Sequence, residues 1–247
     1  MKPAVKKRLV SRAAAAPPPS PFGRGDLPTS LLLVFPLFLA YEIGVLFSPT
    51  VNGVDFVTRW VFAAVGYDRQ RYLAVHLALA GAFFALLLWA RRRGGFSLRT
   101  AAPPLLFESA IYALTLGTVI LFIMDRVLGL ALDATLGPRT QEMVMSLGAG
   151  VHEELVFRLG LMGGGVAALL LLRASRGVAV GVALAASSLL FAAAHHAGPL
   201  GEPFDPQAFI YRTLAGVAFG LIFYYRSLAH AVYTHFLYDV YVLVIQS

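Results

Sequence analysis

Seven stretches of this chain, residues 28–48, 72–90, 105–124, 141–172, 177–196, 207–225 and 228–246, are apolar over the length needed to cross a bilayer. At membrane depth no water satisfies the backbone, so a spanning stretch of about 20 apolar residues folds as a helix that pairs its own N–H and C=O groups. The expectation is an all-α, polytopic integral membrane protein with about seven (six to eight) transmembrane helices in a single bundle. Charged residues make up 13% of the chain, about half the share of a soluble domain. Residues 51–66 mix Asp55 and Arg59 with apolar neighbours. They read as an amphipathic interfacial helix, with an eighth short span as the alternative.

The domain organisation expected is a disordered basic arm, 1–28, ahead of a membrane domain, 29–247. The arm holds Lys2, Lys6, Lys7, Arg8, Arg12 and Arg24 against Asp26, and no lysine follows Lys7. Basic residues gathered beside a first span set topology. They do not make the basic folded face that nucleic acid requires, so no nucleic-acid partner is expected. The arm, Arg91-Arg92-Arg93, Arg173 with Arg176, and Arg226 all fall on one side of a seven-span arrangement. That side is then cytoplasmic, together with the N-terminus. The absence of cysteine excludes thiolate catalysis and disulfides.

Against this apolar background stands Glu153-Glu154-Leu-Val-Phe-Arg158. Ionisable groups at membrane depth are costly and rare, and they mark function by default. On a helix Glu154 and Arg158 are four apart and share a face, which makes an ion pair their natural arrangement. Glu153 is rotated by about 100° and is left for other chemistry. His235 and Asp239 are also four apart, so a carboxylate can orient that imidazole.

His195 is singled out by depth. The turn between its span and the preceding one lies near residue 174, and Glu153 and His195 are equally far from it. In an antiparallel hairpin they therefore meet, with Phe191 one turn away on the same face. Straight helices would set this pair about 31 Å from the turn but His235 only about 12 Å from Ser227. A break at Gly163-Gly-Gly165 is expected to reconcile the two heights. His76, His152 and His230 are read as packed residues without matched partners. Glu42 and Arg212 are isolated within spans, where they can pair structurally, and Arg212, near the start of the sixth span, is placed to support the site.

An acid, two imidazoles and an acid can activate a water with Glu153 as base and His195 as its partner, and stabilise an oxyanion through His235. The expected substrate is a peptide bond of a membrane-embedded or lipidated protein or peptide, in contact with membrane lipids. The same residues admit a zinc-dependent membrane protease, through His195, His235 and a glutamate, or a proton-relay carrier. A non-catalytic scaffold or self-immunity protein is a further reading.

The three motifs, Glu153-Glu154-Leu-Val-Phe-Arg158, Phe191-Ala-Ala-Ala-His195 and His235-Phe-Leu-Tyr-Asp239, resemble in order and separation those of the CPBP family. That family holds the CAAX prenyl endopeptidases, bacteriocin-processing and self-immunity proteins, also known as intramembrane glutamic endopeptidases. The resemblance covers about 105–247. It implies that Glu153 and His195 activate the water, that Glu154 and Arg158 support them, and that His235 with Asp239 forms the oxyanion site, with no cofactor or metal. Asp239 stands where the prenyl endopeptidases have asparagine, which speaks against a prenylated substrate more than against hydrolysis. The arginine-rich, lysine-poor composition looks bacterial, and an inner (plasma) membrane location follows.

Overall fold

The computed structural model of the chain describes residues 27–47, 52–92, 98–130, 139–198 and 201–245. The basic arm expected over 1–28 falls almost wholly outside them. Among the described residues every regular element is helical: α1 (Leu27–Gly44), α2 (Phe56–Ala64), α3 (Arg69–Arg92), α4 (Leu98–Phe122), α5 (Arg139–Gly148), α6 (Gly164–Leu171), α7 (Arg176–Ala194), α8 (Pro206–Tyr225) and α9 (Leu228–Asp239). π-Helical stretches Ile123–Leu128, Ala149–Gly163 and Val240–Ile245 continue α4, α5 and α9. Five of the rods are long and apolar enough to cross a membrane. Nine-residue α2 reaches only about 14 Å and cannot span.

Side-chain distribution is that of a protein solvated by lipid. Only 22–33% of the residues in those five windows are buried. Outward faces carry Leu77, Phe84 and Trp89 on α3, Phe107 and Leu114 on α4, and Val182 and Leu190 on α7. Apolar surface on this scale is unusual for a water-soluble monomer. The interior instead holds Glu42, Asp55, His76, His152, Glu153, Glu154, Arg158 and His235, all buried. This is an integral membrane all-α bundle, as the hydropathy pattern predicts.

Local signals set the helix ends. Ser175, Asp205 and Ser227 cap α7, α8 and α9 by accepting the N–H of Val178, Gln207 and His230, satisfying donors that a helix start leaves open. Pro206 opens α8, where its missing N–H is no loss.

The α6–α7 hairpin has the predicted register. Phe157 meets Phe191 edge to face at 5.4 Å, and Gly165 lies where an added Cβ would be 3.3 Å from that of Ala183. Both pairs are centred on residue 174, like Glu153 and His195.

The break expected at Gly163–Gly165 does not occur. Gly163 and Gly164 keep right-handed helical dihedrals, and α5, the π-helical segment and α6 run on as one rod. Glycine here serves close approach instead, as small residues do between membrane helices. At Gly150 a Cβ would stand 2.8 Å from Phe236 Cβ and 3.0 Å from its backbone N, so α9 lies directly on the rod. The i→i+5 turn of the π segment holds more residues per turn than an α turn and climbs less with each, which shortens the height to be reconciled.

Candidate active site

The π-helical segment delivers both glutamates to the centre of the bundle, where α7, α8 and α9 pack against it. Glu153 Oε1 accepts a 2.8 Å hydrogen bond from Asn52 Nδ2. Among the described residues its Oε2 has no hydrogen-bond partner, and it faces His195 Nε2 at 3.8 Å. That gap is too long for a direct hydrogen bond and of a size that one bridging water fits. His195 Nδ1 lies 2.9 Å from the carbonyl of Phe191. A carbonyl only accepts, so Nδ1 carries the hydrogen, and in the neutral ring Nε2 turns a lone pair toward Glu153.

His195 is the C-cap of α7. Its side chain is 26% exposed, against 7% for Glu153. The pair therefore lies at the mouth of the bundle, at the end remote from the Arg173–Ser175 turn. The loop beyond it is braced: Arg212 Nη2 donates to both oxygens of Glu202 at 2.9 and 2.8 Å, and the Glu202 N–H donates to the His195 carbonyl at 2.8 Å. Arg212 thus supports the site through the loop and not by touching the glutamates.

Glu154 is enclosed by an arginine and an imidazole. Its Oε2 is 3.2 Å from Arg158 Nε, and Oε1 accepts from His235 Nδ1 at 2.8 Å. Arg158 is fully buried. It donates to the Gly216 carbonyl at 3.3 Å and lies over the Phe191 and Phe219 rings at 4.4 and 5.4 Å, where ring faces replace lost hydration. Phe219 also stacks on His235 at 4.4 Å. His235 Nε2 is 3.6 Å from Asp239 Oδ2, beyond hydrogen-bond reach.

Phe191 joins the two halves, with centroids 5.0 Å from His195 and 5.9 Å from His235. The six candidates, Glu153, Glu154, Arg158, His195, His235 and Asp239, thus gather in one neighbourhood although the helix is unbroken.

Sequence reasoning missed the other half of this polar interior. Asn52, which holds Glu153, was not singled out. Glu42 is not alone: it accepts from Thr58 Oγ1 at 3.0 Å and from Tyr72, and it faces His76 and His152 at 3.3 and 3.5 Å. His230 likewise has partners, Ser227 and Glu108. The rule that raised Glu153, an ionisable residue within an apolar run, applies equally to Glu42, His76 and His152 and would have found them. A cleft of ≈ 400 Å³ is lined by Gly53, Val54, Arg59 and Val156, neighbours in sequence of Asn52 and Glu153.

Fold and site together define a polytopic membrane protein with an acid–imidazole centre among its helices. Residues 135–241 match the Rce1-like family, type II CAAX prenyl endopeptidases, and this segment carries the chain's likeness to CAAX-type proteases. No curated protein and no solved structure matches the chain. The matched segment contains all six candidates.

Proposed function

We propose that this protein is a glutamic-type intramembrane endopeptidase that hydrolyses a peptide bond of a membrane-embedded or lipidated protein or peptide. The observation that supports this above the rest is the open pairing of Glu153 Oε2 with His195 Nε2 across 3.8 Å. A water between them gives its proton to Glu153 while its oxygen bonds to the scissile carbonyl carbon. The C=O electrons move onto oxygen, which accepts from His235 Nε2–H; because Nδ1–H is held by Glu154, the ring donates from both nitrogens as an imidazolium. As the tetrahedral intermediate collapses, the C–N bond breaks and the proton passes to the leaving amine, with His195 placed to relay it. Glu154 and Arg158 do not react; they hold His235 and the helix. Asp239, 3.6 Å from Nε2, is too far to hold the ring and acts on it only through its charge.

The distribution of arginine favours a cytoplasmic N-terminus, in a bacterial plasma membrane. The test compares the termini of membrane proteins from cells making the wild type and Glu153→Gln. A set of termini lost in the variant, at equal protein level in the membrane, is the expected outcome; unchanged termini would remove the assignment.

A further inference from the structure

A second set of ligating side chains lies beside the glutamates on the face turned toward α1. Glu42 from α1, Asp55 at the start of α2 and His152 from the π-helical segment are all buried, and one ligand atom from each lies within 4.8 Å of the others. His152 Nε2 is 3.3 Å from Asp55 Oδ1 and 3.5 Å from Glu42 Oε1. His152 is 2% exposed, yet among the described residues neither of its ring nitrogens, nor Glu42 Oε1, has a partner in hydrogen-bond geometry. A buried polar group left in this way costs free energy and calls for an explanation.

The spacing supplies one. A charge-assisted hydrogen bond between imidazolium and carboxylate would close to about 2.7–2.9 Å. Zinc with ligands at about 2.0–2.2 Å in a tetrahedral shell instead sets neighbouring ligand atoms about 3.3–3.5 Å apart. We propose that Glu42 Oε1, Asp55 Oδ1 and His152 Nε2 form a zinc site, with a fourth position left for water. Two carboxylates balance the divalent charge, and the imidazole binds as the neutral ring.

The carboxylates are also held in place, as metal ligands are by the groups behind them. Asp55 Oδ2 accepts from Tyr41 OH at 2.7 Å, and its Oδ1 accepts from Thr58 N at 2.8 Å. Glu42 Oε2 accepts from Thr58 Oγ1 and Tyr72 OH. Rings of Tyr41 and Phe38 flank His152 at 4.8 and 5.9 Å.

The ion would tie α1 and the 52–55 turn to the rod that carries Glu153. Tyr41 OH also accepts from the Asn52 N–H at 2.9 Å, so the tie sets the position of the residue that holds Glu153. This site shares no ligand with the pair assigned to water activation.

The test uses full-length protein in detergent, stripped by chelator, loaded with zinc chloride, desalted and analysed for metal by mass spectrometry. About one zinc per chain is expected in the wild type and in Glu153→Gln, and less than about a tenth in His152→Gln and Asp55→Asn. Gel filtration confirms that each variant is folded and monodisperse. Zinc should raise the melting temperature of the wild type and Glu153→Gln but not of His152→Gln. A wild type that retains no zinc, its two acids bridged instead by a protonated His152, would overturn the proposal, as would full zinc in His152→Gln. Because Glu153→Gln is inactive under the proposed function yet should bind zinc, either reading can fail without the other.

Discussion

Asn52 and Glu153, 101 positions apart in sequence, are joined by a 2.8 Å hydrogen bond from Nδ2 to Oε1. The contact fixes one oxygen of the glutamate and turns the other toward His195. A hydrogen bond to a charged group contributes about 1.5–3 kcal/mol. Asn52→Ala is therefore expected to slow cleavage by about 10- to 100-fold. The loss should fall on kcat more than on KM, because the bond orients a reacting group and does not touch substrate. Steady-state kinetics on a purified reporter peptide would show this; an unchanged kcat would refute it.

Glu154 and Arg158 are fully buried partners, so removing either leaves a charge without compensation, at about 3–5 kcal/mol. Glu154→Gln and Arg158→Met should each lower the melting temperature sharply in detergent. The double variant should lose less than the sum of the two, and a double-mutant cycle measures the difference. Additive losses would show that the pair is not coupled.

His235 is the group assigned to the developing oxyanion. His235→Ala is expected to cost about 10²–10³ in kcat. Asp239→Asn keeps a polar side chain of the same shape and should retain activity within about tenfold. Loss of all activity in Asp239→Asn would mean that the carboxylate takes part directly.

The chain has no cysteine, so a single one reports on sidedness without background. Ala197, exposed just beyond His195, is the position to use. If the N-terminus is cytoplasmic, Ala197→Cys in intact cells should react with a membrane-impermeant maleimide applied from outside. Protection until the cells are opened would invert the topology.

Much of this molecule was legible in its sequence because lipid imposes a simple rule. Each apolar run becomes a helix, and an antiparallel hairpin fixes depth by counting. That arithmetic placed Glu153 opposite His195, and the Phe157–Phe191 contact shows the register it assumed. It failed where straight α-helices were assumed. The height of His235 seemed to require a break at Gly163–Gly165, whereas the rod winds as a π-helix and the glycines serve close packing. That Asn52 belongs with Glu153, and Glu42 with His152, stayed hidden for a different reason. Their partners come from three separate segments, and no periodicity within one helix links them.

The unbroken rod has a mechanical corollary. Both glutamates and Arg158 ride on one stiff piece, while each imidazole belongs to a different neighbour, His195 to α7 and His235 to α9. A movement that parts those neighbours to admit a polypeptide leaves the acids fixed but withdraws the imidazoles. The enzyme would then be disarmed while ajar, and would recover its full set of reacting groups only after closing on what it has captured.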